Sequence, residues 1–412
     1  MSEQPASLPN GFRDSTGEAT LRPDLGPLPE DWQVVRLGEV AQIEMGQSPP
    51  SITYNSEGIG LPFFQGKADF GDIYPTTRKW CSSPNKIAEK DDILLSVRAP
   101  IGDVNIATQR CCIGRGLTAI RAGAKSDSKY LFYHLLFSQE LLESKGTGTT
   151  FKQINKETVT HFLIPLPPLA EQRAIAHVLT SIQRAIEATE QVIAAARELK
   201  KSLMRHLFTY GPVSPAEAES VPLQETEIGP LPVHWRVVRL GEISEVKYGK
   251  ANPNDSGSIP IVGSGGIFAN TSTPLVTHPT LVIGRKGTAG KVWLFLSPCY
   301  PSDTTFYLHW KKEIDVSFVF YFLNLRPLSG EHAKTTLPSL QKPYLENTSV
   351  PLPPLPEQRA IAEMLGAVDE KIQAEERRKA ALQSLFRSML HYLMTGKVRV
   401  AGLVTPPTQP EE

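Results

Sequence analysis

The stretch PLPPLAEQRAIAHVL at residues 165–179 returns as PLPPLPEQRAIAEML at 351–365, with twelve of fifteen positions identical and the two starts 186 residues apart. A second pair lies upstream of each: GPLPEDWQVVRLGEV (26–40) and GPLPVHWRVVRLGEI (229–243) agree at eleven of fifteen. The order is short block, variable region, long block, then the same again. Solenoid repeats have periods of roughly 20–50 residues and usually three or more copies. Two copies at this interval instead predict a duplicated domain pair with internal pseudo-two-fold character.

The variable regions, 41–160 and 244–346, share a faint skeleton. ILLSVRAPIGDV (93–104) aligns with LVIGRKGTAGKV (281–292), and TTFKQI (149–154) with TTLPSL (335–340). Both regions carry short Val, Ile and Phe runs broken by Gly, Pro, Asn and Asp, the pattern of strands and turns. Each is expected to be a globular, strand-rich domain of one fold with a different surface.

The long blocks behave differently. No proline or glycine occurs between Pro168 and Gly211, and apolar residues recur in steps of three and four at Ile175, Val178/Leu179, Ile182, Ile186, Val192/Ile193, Ala196, Leu199, Leu203 and Leu207. The second copy runs Ile361, Leu365, Val368, Ile372, Leu382, Leu385/Phe386, Met389 and Leu393, broken near Glu375, Glu376 and Lys379. This spacing predicts two helices, each with an apolar stripe. Glu171 and Glu357 suit a first turn, Pro356 suits a first helical position, and Gly211–Pro212 and Gly396 mark the ends. Helices of this length extend about 60 Å. Such a stripe must be covered, and the simplest partner is the other copy, giving a coiled-coil pair. The charges, six basic and four acidic in 171–210 and six of each in 357–395, read as solvated faces.

Composition narrows the class. The 412 residues allow two or three domains, and 40% hydrophobic content suits a folded chain. Lys+Arg and Asp+Glu are equal at 43 each, so net charge neither calls for nor excludes a nucleic acid; a local basic face is compatible with neutrality. Cys81, Cys111, Cys112 and Cys299 form no CxxC pair, and the nine histidines lack metal-ligand spacing. A disulfide framework or a metal site is not expected, and a reducing, cytoplasmic location fits. Apolar runs such as VSFVFYFLNL (316–325) fall short of the roughly 20 residues that span a bilayer, so no membrane association is expected. Residues 1–25 lack a secretory signal and read as a flexible extension.

With LGEV (LGEI in the second copy), PLPPLxEQRAIA and the helix that follows all present twice, the chain resembles the specificity subunits of type I restriction–modification systems over nearly its whole length beyond residue 25. That resemblance implies an α+β fold: two strand-rich target recognition domains separated by two long helices packed as an antiparallel coiled coil. It implies boundaries of 26–164 for the first recognition domain, 165–211 for the central conserved helix, 212–228 for a linker, 229–350 for the second domain, 351–396 for the distal helix and 397–412 for a tail. It also implies the partners: double-stranded DNA, two modification subunits that methylate adenine, and restriction subunits. S-adenosylmethionine, ATP and Mg belong to those partners, and the chain itself is expected to carry no cofactor and no catalytic residue.

The residues agree with that absence of chemistry. No Asn/Asp-Pro-Pro-aromatic quartet occurs, and SPPS (48–51) is not one. GRKGTAGKV (284–292) departs from G-x-x-x-x-G-K-[ST], because Arg285 stands at the first glycine and Val292 replaces Ser/Thr; GSGGIF (263–268) misses the last glycine of G-x-G-x-x-G. Candidate DNA contacts are the donors that reach bases or phosphates: Lys67, Arg78, Lys79, Arg98, Arg115 and Lys152 in region one, and Ser264, Arg285, Lys286, Lys291, Ser302, Asp303, Thr304 and Lys334 in region two. The regions are only mildly basic, 14 Lys/Arg against 12 Asp/Glu in 44–160 and 10 against 6 in 247–350. Glu171, Gln172, Arg173, Glu357, Gln358 and Arg359 are candidates for the interface with the modification subunits, since repeated patches suit identical partners; the alternative is that they pack within the chain. Two rival readings are a two-headed scaffold that binds proteins, and a self-contained DNA methyltransferase or nuclease.

Overall fold

A computed structural model of the chain describes residues 26–148, 152–328 and 339–400. The expected N-terminal extension, Lys334 and the tail beyond residue 400 lie outside them. The described chain forms two compact units, one from residues 26–188 with 379–400 and one from 189–378.

The first unit is built on a four-stranded antiparallel sheet in the order Ala41–Met45, Leu117–Ala122, Ile93–Ser96, Val104–Ile106. Ile93–Ser96 is buried at every position, as a central strand covered on both faces should be. Helix α1 (Ser128–Phe137) packs on this sheet, capped by Asp127, whose carboxylate accepts from Tyr130 N. The repeated blocks pair with each other, because Gln33–Arg36 runs antiparallel to Leu163–Leu166. A strand of the short block thus leads into the sheet, and its partner leads out into helix α2 (Leu169–Tyr210). Further out lies a five-stranded sheet that includes Leu61–Phe64, Trp80–Cys81 and Cys111–Ile113.

The second unit repeats this plan. Its four-stranded sheet runs Ser244–Tyr248, Thr305–Trp310, Thr280–Gly284, Val292–Phe295. Helix α3 (Val316–Leu325) is capped by Asp315, which accepts from Phe318 N. Arg236–Arg239 pairs with Ser349–Leu352, which leads into helix α4 (Leu355–Met394). The faint alignment of the variable regions is real in three dimensions. In the first unit Val97 N bonds Gly116 O and Ile154 N bonds Val97 O; in the second Arg285 N bonds Thr304 O and Leu340 N bonds Arg285 O. The units differ outside this scaffold, where the second has a three-stranded sheet of Gly266–Thr271, Ile259–Gly263 and Tyr300–Pro301.

Both units contain part of each long helix. Within the second, Arg197 meets Glu376 at 2.6 Å and Lys200 meets Asp369 at 2.7 Å, so ascending α2 descends α4 and the pair is antiparallel. The fold is therefore α+β with two strand-rich domains, two long antiparallel helices and internal pseudo-two-fold duplication, as expected.

The covered stripe is narrower than the periodicity implies. Ile193, Ile372 and Thr189 are buried, but Val192 is 42% and Leu199 58% exposed. A two-helix seam covers fewer positions than a helix lying on a core. Glu375, where the apolar pattern breaks, is itself buried and held by Lys371 and Arg378 of its own helix. Two expected irregular segments also carry structure. Residues 212–228 include the capped turn Pro215–Ala218 and the strand Leu223–Gln224. At 397–400, Arg399 is ion-paired and Val400 is buried.

Candidate nucleic-acid interface

The connection between Ile93–Ser96 and Val104–Ile106 gathers four of the first unit's candidate cations. Ala99 N bonds Lys152 O at 3.2 Å and Arg98 bridges Gln153, which sets Arg98 beside Lys152. Gly116, next to Arg115, donates to Gln65 O at 3.1 Å. Two residues further, Lys67 Nζ meets Asp103 at 2.8 Å, at the other end of the same connection. Arg78 donates to Ala68 O at 3.1 Å, and Lys79 O accepts from Phe63 N. Lys67, Arg98, Arg115 and Lys152 thus meet at this connection, with Arg98, Arg115 and Lys152 exposed there, whereas Arg78 and Lys79 lie beside Ala68 and Phe63 with no contact to it.

The equivalent connection in the second unit, 285–291, gathers its own set. Arg285 Nη2 donates to Asp303 O at 2.8 Å, and its guanidinium lies 5.3 Å from the Tyr248 ring centroid. Lys286 bridges Ser339, the counterpart of Arg98 with Gln153. Thr304 Oγ1 accepts from Ser264 N at 3.3 Å. Lys291 Nζ stands 4.1 Å over the Trp293 ring. Ser302 is a correction. It is 2% exposed, and its hydroxyl bonds Thr304 at 2.8 Å, so it positions Thr304 and does not face a ligand.

The repeated Glu-Gln-Arg triplets need a larger correction. Glu171 is buried and accepts from Trp32 Nε1 at 3.0 Å and from Arg399 at 2.6 and 2.8 Å. Gln172 is fully buried. It accepts from Asp127 N at 2.8 Å and donates to Pro167 O and Lys125 O. The second copy repeats the joint: Glu357 accepts from Trp235 Nε1 and His234, both at 2.9 Å, and Gln358 accepts from Asp315 N and donates to Pro353 O. Glu171, Gln172 and Gln358 are thus internal. The two glutamines pin the start of each long helix to the capped end of α1 or α3, Glu171 holds Trp32 and Arg399, and a buried polar group must find partners inside. Glu357 belongs to the same joint. Arg173 is exposed, and Arg359, also exposed, pairs with Glu313 at 2.9 Å.

Arg399 holds the Asp31 carboxyl below the usual range, and Glu171 and then Asp31 raise Arg399 in turn. Burial pushes the Cys111, Cys112 and Cys299 thiols up to about 12. Among the described residues no group of three or more His, Cys, Asp or Glu is placed to hold a metal, and no helix is long and apolar enough to cross a membrane.

Sequence reasoning missed two features. One is the Trp–Glu joint, although Trp32 and Trp235 sit at matching places in the short blocks. The other is a pair of exposed apolar residues, Ile267 and Phe268, beside the second cationic connection.

This duplicated scaffold, with a cationic connection on each copy, has known relatives. A family model described as the type I restriction modification DNA specificity domain matches residues 29–197 and 232–384, and the chain belongs to that family. The type I restriction enzyme MjaVIII specificity subunit of Methanocaldococcus jannaschii is 27% identical over 91% of this chain and 95% of its own length. The putative type I restriction enzyme MjaX specificity subunit of the same organism is 47% identical, over 45% of this chain and 44% of its own length. The crystal structure of a type I restriction–modification S subunit from M. genitalium shares the fold with a TM-score of 0.66 at 20% identity, covering 90% of this chain and 98% of that one.

Proposed function

We propose that this chain is the DNA-reading subunit of a type I restriction–modification complex. Each unit reads one half of a split target, and the paired helices set the gap between the halves. The supporting observation is one scaffold present twice, bearing a five-stranded outer sheet in one copy and a three-stranded sheet in the other. A common scaffold with unlike surfaces suits an asymmetric two-part site on duplex DNA. The exposed cations at the two connections, Arg98, Arg115 and Lys152 in one and Lys286 and Lys291 in the other, are the phosphate and base contacts of this reading.

The chain is non-catalytic in this reading. Two modification subunits supply S-adenosylmethionine chemistry on adenine, and restriction subunits supply ATP-dependent cleavage with Mg, in the cytoplasm. With Glu171, Gln172 and Gln358 committed to internal bonds, the docking surface for the modification subunits falls to Arg173, Arg359 and the uncovered helix positions Val192, Leu199 and Leu385.

Co-expression with the modification subunits, followed by mapping of methylated adenines, tests this. A split, asymmetric, adenine-containing motif is expected. Replacing residues 41–160 by the matching region of another family member should change one half of the motif and leave the other. A change in both halves, or methylation without sequence preference, counts against the reading.

A further inference from the structure

The hairpin of Ile259–Gly263 and Gly266–Thr271 belongs to neither the scaffold nor the helix joint. Gly266–Thr271 is the edge strand of its sheet. In the register, Ile261 faces Ala269 and Val262 faces Ile267, so Phe268 has no partner and is the extra residue of a β-bulge. Bulges re-aim a side chain. A strand lying on a core alternates buried and exposed positions, yet Ile267, Phe268, Ala269 and Asn270 are all exposed. Phe268 is 58% and Ile267 62% accessible.

The ring of Phe268 lies against Gly263, where a Cβ would come within 3.2 Å of it. One edge of the ring thus touches its own hairpin, while the side chain stays more than half exposed. Gly266, at φ +118°, lets Trp293 approach just as closely. Two cationic residues lie close to the hairpin. Lys291 lies over Trp293. Arg285 is reached from the turn through Ser264, which donates to Thr304, and Thr304 O, which accepts from Arg285 N at 2.9 Å.

A bare apolar edge strand is a liability unless something covers it. Two cations close to the hairpin, in a region with four more basic than acidic residues, favour a polyanion over another protein. A two-stranded ribbon fits the major groove, where thymine presents a methyl group to apolar side chains such as Phe. Held at one edge by its own hairpin and more than half exposed, the Phe268 ring offers apolar surface to such a groove.

We propose that Phe268, with Ile267, is a specificity-determining contact of the second unit, packing on a thymine methyl in the major groove while Arg285 and Lys291 hold the adjoining phosphates. This rests on the DNA-reading function proposed above.

The test uses the chain purified with its modification subunits and a duplex carrying the mapped motif. Each thymine of the half-site assigned to the second unit is replaced in turn by deoxyuridine, which removes only the methyl group. At one position the wild-type complex should bind about fourfold more weakly, the effect of one buried methyl-sized group. The Phe268→Ala complex should show that loss on the unmodified duplex and be indifferent to the replacement, with Phe268→Leu in between. Thermal unfolding of both variants should match wild type, since the side chain is exposed. If sequence-selective binding persists but no thymine replacement matters, or Phe268→Ala stays as sensitive as wild type, the contact is overturned and the DNA-reading function stands. Self-association abolished by Phe268→Ala would make the edge a protein-pairing strand and also overturn the contact. No sequence selectivity in the wild-type complex overturns both readings.

Discussion

Glu171 and Glu357 occupy the same place in two copies of one joint and are bonded differently, to Arg399 in the first and to His234 in the second. Each also accepts from a buried indole, so its removal strands a donor. Glu171→Ala is expected to destabilise the chain by about 1–3 kcal/mol in urea unfolding, the usual cost of an orphaned buried donor. Arg173→Ala, on an exposed position two residues away, should stay within roughly 0.5 kcal/mol of wild type. Equal losses for both would remove the joint as the reason for the repeated triplet. The cysteines give a second test at this scale. All four are buried, and the thiolate is the reactive species. With three of the thiols held near 12, no labelling by a thiol reagent is expected at pH 8 until the protein unfolds. Fast labelling of the folded chain would mean that these sites open.

Among the elements, the two long helices carry the claim about spacing. Arg197–Glu376 is an exposed pair and contributes little, as surface pairs do. Burial of Ile193 and Ile372 holds the seam, and Lys200, Asp369 and Tyr321 form a half-buried cluster beside it, with Tyr321 donating to Asp369 at 2.9 Å. Inserting one helical turn in both helices at matched positions adds about 5.4 Å. Methylation mapping should then show the gap in the motif lengthened by one or two base pairs, with both halves unchanged. An unaltered gap would dismiss the helices as the ruler.

At the scale of the whole molecule, the first unit is closed by residues far along the chain. Leu393, Met394 and Val400 lie in its core, and Arg399 completes its joint. Ending the chain at Met394 should therefore speed amide exchange in residues 26–188 and leave 212–328 protected. Uniform loss of protection would mean that the units do not behave separately. The duplication, both helices and the strand-rich character of the variable regions were legible because periodicity and repetition are local properties of a sequence. Convergence of Lys67, Arg98, Arg115 and Lys152 on one rim was only partly legible. The aligned connections marked where Arg98 and Lys286 stand, but Lys67 reaches that rim through an ion pair to Asp103 that no spacing encodes.

The amino-acid sequence by itself determined that this is a two-copy chain with a strand-rich domain and a long helix in each copy, because a repeated block must fold the same way twice. Tertiary structure alone decided what the repeated residues are for. Glu171, Gln172 and Gln358 read as surface charge and amide, yet they are buried because Trp32, Asp127 and Asp315 arrive from distant segments to bond them. Likewise Phe268, an apolar residue in a strand, is exposed where a one-residue bulge falls in the ladder. Hydrogen-bond partners and strand register are relations between remote parts of the chain, and they exist only once it has folded.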